Sequence, residues 1–418
     1  MTIPSLLRFA DPGASVRSRF ADAVTAVADH LRPDAVQREI AGADPHDEID
    51  LLRRFGLLSA PVPAAFGGGG IELEEVVEAV RLIARVDGSV AALLGYHYQR
   101  VHSIADAAGG GDPQIETRRA RLLTDTAREG WYWAATGSAQ DAEFTLEPHV
   151  DGGYLVSGRK GFATGASVAD RLVSAGSLGD QGRVLRFAID PSRPGIRFAG
   201  DWDNIGQRLT ASGGIELDGY HVQEEDVFGS FPRFSGEAGE SFARDPQASL
   251  IVPAFQLLFV HLYLGLAEGA LGEASGYVRA QSRPWVHAVA DSPADDPYVL
   301  RHVGESAVQL SAASALADQA TAELAYGRAR GAALTYDERS RIAVRIAAAK
   351  VASTQVALAT TARVFEATGA RSTQRAVGLD RFWREARTHT LHDPVEYKIR
   401  EVGDAVLNGR SPEPSHYR

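Results

Sequence analysis

Arg387-Thr-His-Thr-Leu-His-Asp-Pro-Val395 sets two histidines three residues apart and follows them with an aspartate and a proline. Proline lacks an N–H and has a fixed φ, so Pro394 fits badly inside a helix. The residues up to Arg387 keep helical spacing. The stretch therefore predicts a helix that stops here and a loop that begins. His389 and His392 fall one turn apart on one face at that boundary. Loop-edge histidines beside an acid are typical site material, because imidazole can give or take a proton near neutral pH. The same spacing also fits two helix-end histidines that interact with terminal carbonyls.

Outward from this point, the chain from 248 to about 408 is alanine-rich and helical. Periodic segments span 249–282, 299–330, 336–368 and 379–391, with breaks at Arg283-Pro284, Asp291–Pro297, Gly331 and Thr368-Gly-Ala370. Four long helices with short links predict an antiparallel bundle. Upstream the texture differs. Trp131-Tyr-Trp-Ala-Ala-Thr136 is aromatic and strand-like, and short alternating runs follow at 154–160, 171–175, 184–189, 195–198 and 214–217. Asp151-Gly-Gly153 and Asp190-Pro-Ser-Arg-Pro194 supply turns, so this part predicts an antiparallel β domain. Residues 232–247, rich in Gly, Glu, Pro and Ser, predict a loop or lid.

The first part of the chain is helical again. Val16, Phe20, Val24, Val27 and Leu31 recur at three and four residues, and 71–108 returns to the same period after a break. The break is Gly56-Leu-Leu-Ser-Ala-Pro-Val-Pro-Ala-Ala-Phe-Gly-Gly-Gly-Gly70, whose glycines lack the Lys-Ser/Thr of a phosphate-binding P-loop. The reading is an α+β fold, mostly α: an N-terminal α-helical domain over 1–128, a central β domain over 129–246 and a C-terminal helical bundle over 247–418.

The 418 residues carry a net charge of −11 and no cysteine. Thiol nucleophiles, disulfides and thiolate metal sites are excluded. No basic cluster tracks a phosphate backbone, which argues against nucleic acid. Met1–Ala10 lacks a signal-peptide pattern, and no apolar run approaches about 18 residues. A cytoplasmic protein away from membranes is expected.

Layout and local strings together resemble the acyl-CoA dehydrogenase superfamily. Gly56–Gly70 looks like its N-terminal signature. Ala134–Asp141 and Phe162–Asp170 sit where the family's β domain meets the flavin, and Gly369-Ala-Arg-Ser372 where a bundle turn meets the cofactor. Dehydrogenases of this family take an α-proton with a glutamate in a Tyr-Glu-Gly-Thr string. Here that string reads Leu391-His392-Asp393-Pro394. Gly95-Tyr-His97, Asp201-Trp202, Arg283-Pro-Trp285, Asp380-Arg-Phe-Trp383 and Arg387–Val395 instead resemble the dibenzothiophene monooxygenase-like two-component flavin monooxygenases.

That resemblance implies reduced FMN supplied by a separate NAD(P)H:flavin reductase, with FAD the less favoured flavin. It implies O₂, a C4a-(hydro)peroxyflavin, and oxygen transfer to sulfur, nitrogen or carbon of a mostly apolar small molecule. By the match, His97, Thr164 and His392 surround the reacting edge of the flavin, and Trp202 walls the ring or the substrate. His389 supports His392 or touches substrate, and Asp393 fixes a histidine tautomer. Arg283 reaches the flavin phosphate, often from a neighbouring subunit, with Arg371 and Ser372 as further donors beside Gly369 and Ala370. Thr136 stands where the relatives carry asparagine, and Thr164 where they carry serine. Tyr96 and Tyr98, with Phe255, Phe259 and Trp285, are candidates to line the substrate pocket. His97, in an apolar aromatic stretch, also fits a hydrogen-bonded core histidine. Relatives pack the bundle into a homotetramer. A dehydrogenase or oxidase with an atypical base, and a non-catalytic flavin-fold binding protein, remain as alternatives.

Overall fold

The computed structural model describes residues 19–106, 112–137, 141–179, 183–232 and 245–414. Residue Val16 and most of the 232–247 segment therefore lie outside the described residues.

Six helices come first: α1 (Arg19–Leu31), α2 (Ala35–Ala41), α3 (His46–Arg54), α4 (Leu73–Ala84), α5 (Gly88–Ala105) and α6 (Pro113–Glu129). The 56–70 segment separates α3 from α4, as its prolines and glycines predict. Asp87 separates α4 from α5. Its carboxylate accepts a hydrogen bond from the Val90 N–H and caps the new helix. The α5 helix is buried along most of its length and carries Tyr96, His97, Tyr98 and Arg100 in one and a half turns.

Eight strands follow: β1 (Trp133–Ala135), β2 (Phe144–Pro148), β3 (Tyr154–Lys160), β4 (Arg171–Leu178), β5 (Arg183–Ile189), β6 (Ile196–Phe198), β7 (Ile215–Val222) and β8 (Val227–Pro232). They form one sheet in the order β6-β7-β3-β2-β4-β5-β8, with β1 also beside β4. The sheet is antiparallel except along one edge of β4. There β1 pairs in parallel through Trp133↔Arg171, and β2 continues in parallel through Phe144↔Gly176. Alternation along a strand reports which face is buried and says nothing of strand direction, so the sequence alone does not show this.

Five helices complete the chain: α7 (Ile251–Ala280), α8 (Pro297–Arg330), α9 (Tyr336–Thr368), α10 (Asp380–His389) and α11 (Val395–Asn408). The first four coincide with the periodic segments within two or three residues. Among the described residues there are thus eleven α-helices and eight strands. The segments Ala248–Ala280 and Tyr336–Thr368 are long and apolar enough to cross a membrane by composition alone. The apolar window of the first is 78% buried inside the structure, and it serves as the core helix of the bundle.

α7 touches α4 closely because two glycines face it. A Cβ on Gly265 would come within 2.3 Å of the Arg81 carbonyl oxygen, and one on Gly269 within 2.4 Å of that of Arg85. Between them Glu268, buried, receives both Arg81 and Arg85. Burial alone would raise its pKa, but the two guanidiniums hold it below the ordinary value.

Three histidines are fully enclosed. Burial pushes His97 down to about 4, and His261 and His389 to about 3. An unfolded chain titrates them near 6.5, so below about that pH the unfolded state binds more protons. Stability that is complete above pH ~6.5 is therefore lost progressively as pH falls toward 4. Urea denaturation at several pH values across this window is expected to show a steadily falling midpoint. A midpoint that stays level down to pH ~4.5 would contradict this account.

Candidate active site

The end of α10 carries the quoted histidines to a point where four helices meet. His389 is the last helical residue, and the His392 N–H donates to the His389 carbonyl at 3.0 Å. Pro394 then starts α11 as its N-cap. The helix therefore stops where the proline predicts, and the two imidazoles lie nearly parallel, 16° apart with centroids at 6.2 Å. Both press on the Phe259 ring, at 4.7 Å and 4.8 Å. Phe255, one turn earlier on α7, sits 6.1 Å from His392 and 5.2 Å from Tyr96.

His392 is held from behind. Its Nδ1–H donates to Asp393 Oδ1 at 3.2 Å. Both Asp393 oxygens also accept from the Lys350 ammonium, at 2.5 Å each. Lys350 comes from the middle of α9, is 1% exposed, and donates further to Gln256 Oε1. Burial pushes Lys350 down to about 8, against the pull of Asp393. Burial would raise Asp393, but His392 and Lys350 more than offset it and keep the carboxylate ionised. An ionised Asp393 fixes the Nδ1–H tautomer, which turns Nε2 outward as the free acceptor on a half-exposed ring. Among the described residues no partner takes that Nε2.

His389 has the opposite character. It is buried and engaged at both nitrogens: Tyr263 Oη lies 3.0 Å from Nδ1 and Tyr96 Oη 3.3 Å from Nε2. Tyr263 also gives its proton to the His389 carbonyl at 3.2 Å. The tautomer consistent with all three contacts has Nδ1–H donating to Tyr263 and Nε2 accepting from Tyr96. A narrow hollow lies beside this group, lined by Tyr96, Phe255, Phe259, Leu262 and His389. The carboxylate in contact with the cluster is Asp393, and Lys350 occupies both of its oxygens. It is not placed to abstract a proton from carbon.

The β sheet contributes two loops. Thr164 Oγ1 and Ser212 Oγ are 2.9 Å apart, and Ser212 Oγ bonds Thr210 Oγ1 at 2.7 Å, so a short chain of hydroxyls ends at Thr164. Thr136 is buried, and its hydroxyl bonds Ser174 at 2.8 Å. Trp202 donates its indole N–H to the Gln207 carbonyl, and its ring meets exposed Phe162 edge-on. Gly206 rests directly on α10. A Cβ there would come within 2.0 Å of the Arg384 carbonyl oxygen. The neighbouring Gln207 donates to Glu385 at 2.6 Å, four residues before His389. This contact ties the tryptophan loop to the histidine helix.

Two family models match the chain: "Acyl-CoA dehydrogenase, N-terminal domain" over 17–110 and "Acyl-CoA dehydrogenase, C-terminal domain" over 257–397. A dibenzothiophene monooxygenase of Mycolicibacterium goodii is 40% identical, with 91% of each chain covered. This chain belongs to the acyl-CoA dehydrogenase superfamily, on its dibenzothiophene monooxygenase branch. Members of that branch are flavin-dependent oxidoreductases. A probable FMNH2-dependent monooxygenase of Pseudomonas putida is 39% identical over 92% of this chain and 93% of its own. The FMN-bound dibenzothiophene monooxygenase of a Paenibacillus species superposes with a TM-score of 0.88 at 38% identity, over 96% of this chain and all of that one. A methanesulfinate monooxygenase of Pseudomonas fluorescens superposes at 0.87 with 34% identity, over 98% of this chain and all of its own.

Within the family frame, the expected residues outside the sheet loops fall into three groups. His389, His392, Asp393 and Tyr96 come together as described. His97 does not join them. It is fully buried one position round α5 from Tyr96, and its ring nitrogens serve two backbones. Nε2–H donates to the Leu58 carbonyl at 2.8 Å, and Nδ1 accepts from the Trp133 N–H at 3.0 Å. This is the hydrogen-bonded core histidine of the alternative reading. Tyr98 likewise turns away, 0% exposed beside Phe20. Successive helix residues point about 100° apart, so 96 and 98 cannot share a pocket.

The third group is remote. Arg283 is exposed just past α7, Gly369 (φ 75°) ends α9, and Arg371 donates to the Gln281 carbonyl at 2.9 Å, so these residues form one corner. Ser372 is 1% exposed, and its hydroxyl is spent on Thr368 and the Gly369 carbonyl. The corner lies some 25 residues along α7 from Gln256, about 38 Å at the helical rise. That span exceeds the length of one FMN. Trp285, expected in the pocket, is 74% exposed at this same corner. Lys350, Gln256 and Tyr263 were not singled out in the sequence. Lys350 and Gln256 are polar residues inside otherwise apolar helical runs, which is the signal that marks them.

Lys350→Ala is expected to cost about 3–5 kcal/mol of unfolding free energy, because it strands a buried carboxylate. Adding Asp393→Asn to that variant is expected to restore a large part of the loss, measured by chemical denaturation. Additive losses would mean the pair is not coupled.

Proposed function

We propose that this chain is the oxygenase of a two-component system. It takes reduced FMN from a separate NAD(P)H:flavin reductase, uses O₂, and places one oxygen atom on sulfur, nitrogen or carbon of a small, mostly apolar molecule. The observation that carries this reading is the imidazole of His392. It stands in the string where the dehydrogenases of the superfamily carry a glutamate, and its ring, with Nε2 free, packs beside Phe255 and Phe259. The kinship with FMN-using monooxygenases supports the choice of flavin.

The residues fit such a cofactor. Thr164 ends a hydroxyl chain at the loop expected to meet the ring, and Trp202 stands on the neighbouring loop. Arg283 is an exposed guanidinium suited to a phosphate. When bound, reduced FMN supplies the activation of O₂. The chain's own part is to hold and move a proton and to keep water out. His392 takes or gives a proton at Nε2 while Asp393, charge-balanced by Lys350, stabilises the imidazolium. Phe255, Phe259 and Tyr96 exclude water from the same face. His389, satisfied on both sides, positions Tyr96 and buttresses His392. Thr136 is engaged with Ser174 and cannot offer an amide's two donors.

The distance between the His392 group and the Arg283–Arg371 corner implies that one flavin draws its phosphate contact from a second copy. Exposed Trp285, Val286, Leu391, Tyr397 and Leu407 give the bundle an apolar surface suited to such packing. We assign a homotetramer in the cytoplasm.

His392→Ala is expected to keep the fold and FMN affinity but to divert O₂ consumption to H₂O₂, cutting product per O₂ about a hundredfold, the lower end for loss of a proton-transferring group. Unchanged coupling in this variant removes His392 from the chemistry. Light scattering is expected to give four chains per particle, and a monomer would refute the shared-site assignment.

A further inference from the structure

Gln207 stands between the sheet loops and the histidine helix. Its backbone is in the left-handed region, at φ 56°, which residues with a side chain rarely adopt. Its carbonyl accepts two side-chain hydrogen bonds, from the Trp202 indole and from Thr210 Oγ1, each at 2.8 Å. The second contact sets the direction of the hydroxyl chain. Thr210 has given its proton to Gln207, so Ser212 donates to Thr210 and Thr164 donates to Ser212. Thr164 is left as an acceptor at the far end. One strained residue thus places both Trp202 and Thr164. Its side-chain amide donates in turn to Glu385 at 2.6 Å, one turn of α10 before His389. Glu385 also accepts from the Ser89 hydroxyl at 2.9 Å, in the first turn of the helix that carries Tyr96. A Cβ on Gly88 would come within 2.5 Å of Glu385 Oε2, so α5 packs directly on this carboxyl.

Glu385 is buried, and the guanidiniums around it are taken by other carboxyls. Arg384 holds Glu39, Arg38 holds Asp87, and Arg381 holds Glu273. Glu39, Asp87 and Arg381 line the same small hollow as Glu385. Among the described residues no Lys, Arg or His pairs with Glu385, whose partners are a hydroxyl and an amide. A buried carboxyl without a cation, faced by two other carboxyls, keeps its proton. Asp87 has Arg38 and the Val90 N–H to support a charge, so the proton belongs on Glu385. We propose that Glu385 is a positioning residue, whose neutral carboxyl holds Gln207 and thereby sets Trp202 and Thr164 in register with His392. Burial and Asp87 push its pKa up to about 8. The latch is therefore closed at neutral pH and opens as pH rises through that value. Once charged, Glu385 is repelled by Asp87 from the α4–α5 turn and by Glu39 from α2, with Arg384 on its own helix a weaker attraction. The proposal rests on the oxygenase reading only for what Trp202 and Thr164 face.

Fluorine NMR of the full chain, labelled with fluorinated tryptophan, tests it without turnover. The Trp202 signal is assigned by its loss in Trp202→Phe. In the native protein it is expected to move as pH is raised, with a midpoint near pH 8. Glu385→Gln stays neutral at every pH, and the Gln207 amide can turn so that its Oε1, buried without a partner, accepts from the new side chain. In that variant the Trp202 signal is expected to keep its native neutral-pH position throughout. In Glu385→Ala it is expected to leave that position at every pH, while the signals of Trp131 and Trp133 stay in place and report an intact fold. A native Trp202 signal that ignores pH overturns the proposal, as does the same titration persisting in Glu385→Gln. A Trp202 signal that Glu385→Ala leaves in place also overturns it. If Glu385→Ala does not fold, the comparison of the native protein with Glu385→Gln decides alone. A protein that shows the expected shifts and oxygenates no probe counts against the oxygenase reading alone.

Discussion

The buried contact between Lys350 and Asp393 is the constraint on which the site depends. Neither charge could stay inside the bundle alone, since desolvating either one costs several kcal/mol. Together, with Gln256 taking part of the ammonium, they form a neutral, hydrogen-bonded unit between α7, α9 and the turn after α10. That unit fixes where the turn sits. It also fixes the proton on His392 Nδ1, and with it the chemistry that Nε2 can perform.

Around this pair the helices act as rulers. α7 brings Phe255, Phe259 and Tyr263 to one face at four-residue intervals, and each touches a different part of the histidine pair. α5 brings Tyr96 against His389 and Phe255, and Arg100, one turn on, over the Phe255 ring. His97, between them, is turned to the backbones of Leu58 and Trp133, where it fastens the first helical part to the first strand. Neighbouring residues on one helix thus have separate duties, one facing the cavity and the other holding the wall in place.

The tryptophan loop and the histidine helix are joined by a second buried group. Glu385, between Ser89 and Gln207, is pushed up to about 8 by burial and by Asp87, so it is protonated and neutral near pH 7. It accepts from the Ser89 hydroxyl and from the Gln207 amide, so one side chain joins α5 to the sheet without the cost of a buried charge.

Much of this was legible in the chain. Period and punctuation placed the four long bundle helices, the strands at 154–160 and 184–189, and the stop at Pro394, because those signals are local and repeat over many residues. The replacement of a glutamate by His392 pointed to the class of chemistry. What the sequence could not show was which residues meet across the fold. Lys350 reaches Asp393 from 43 residues away and meets Gln256 from 94, and no local pattern encodes that meeting. His97 and Tyr98 were equally good pocket candidates with Tyr96 until packing chose one of the three. A one-residue step rotates a helical side chain by about 100°, and only the neighbouring helices and strand decide which direction is cavity and which is core.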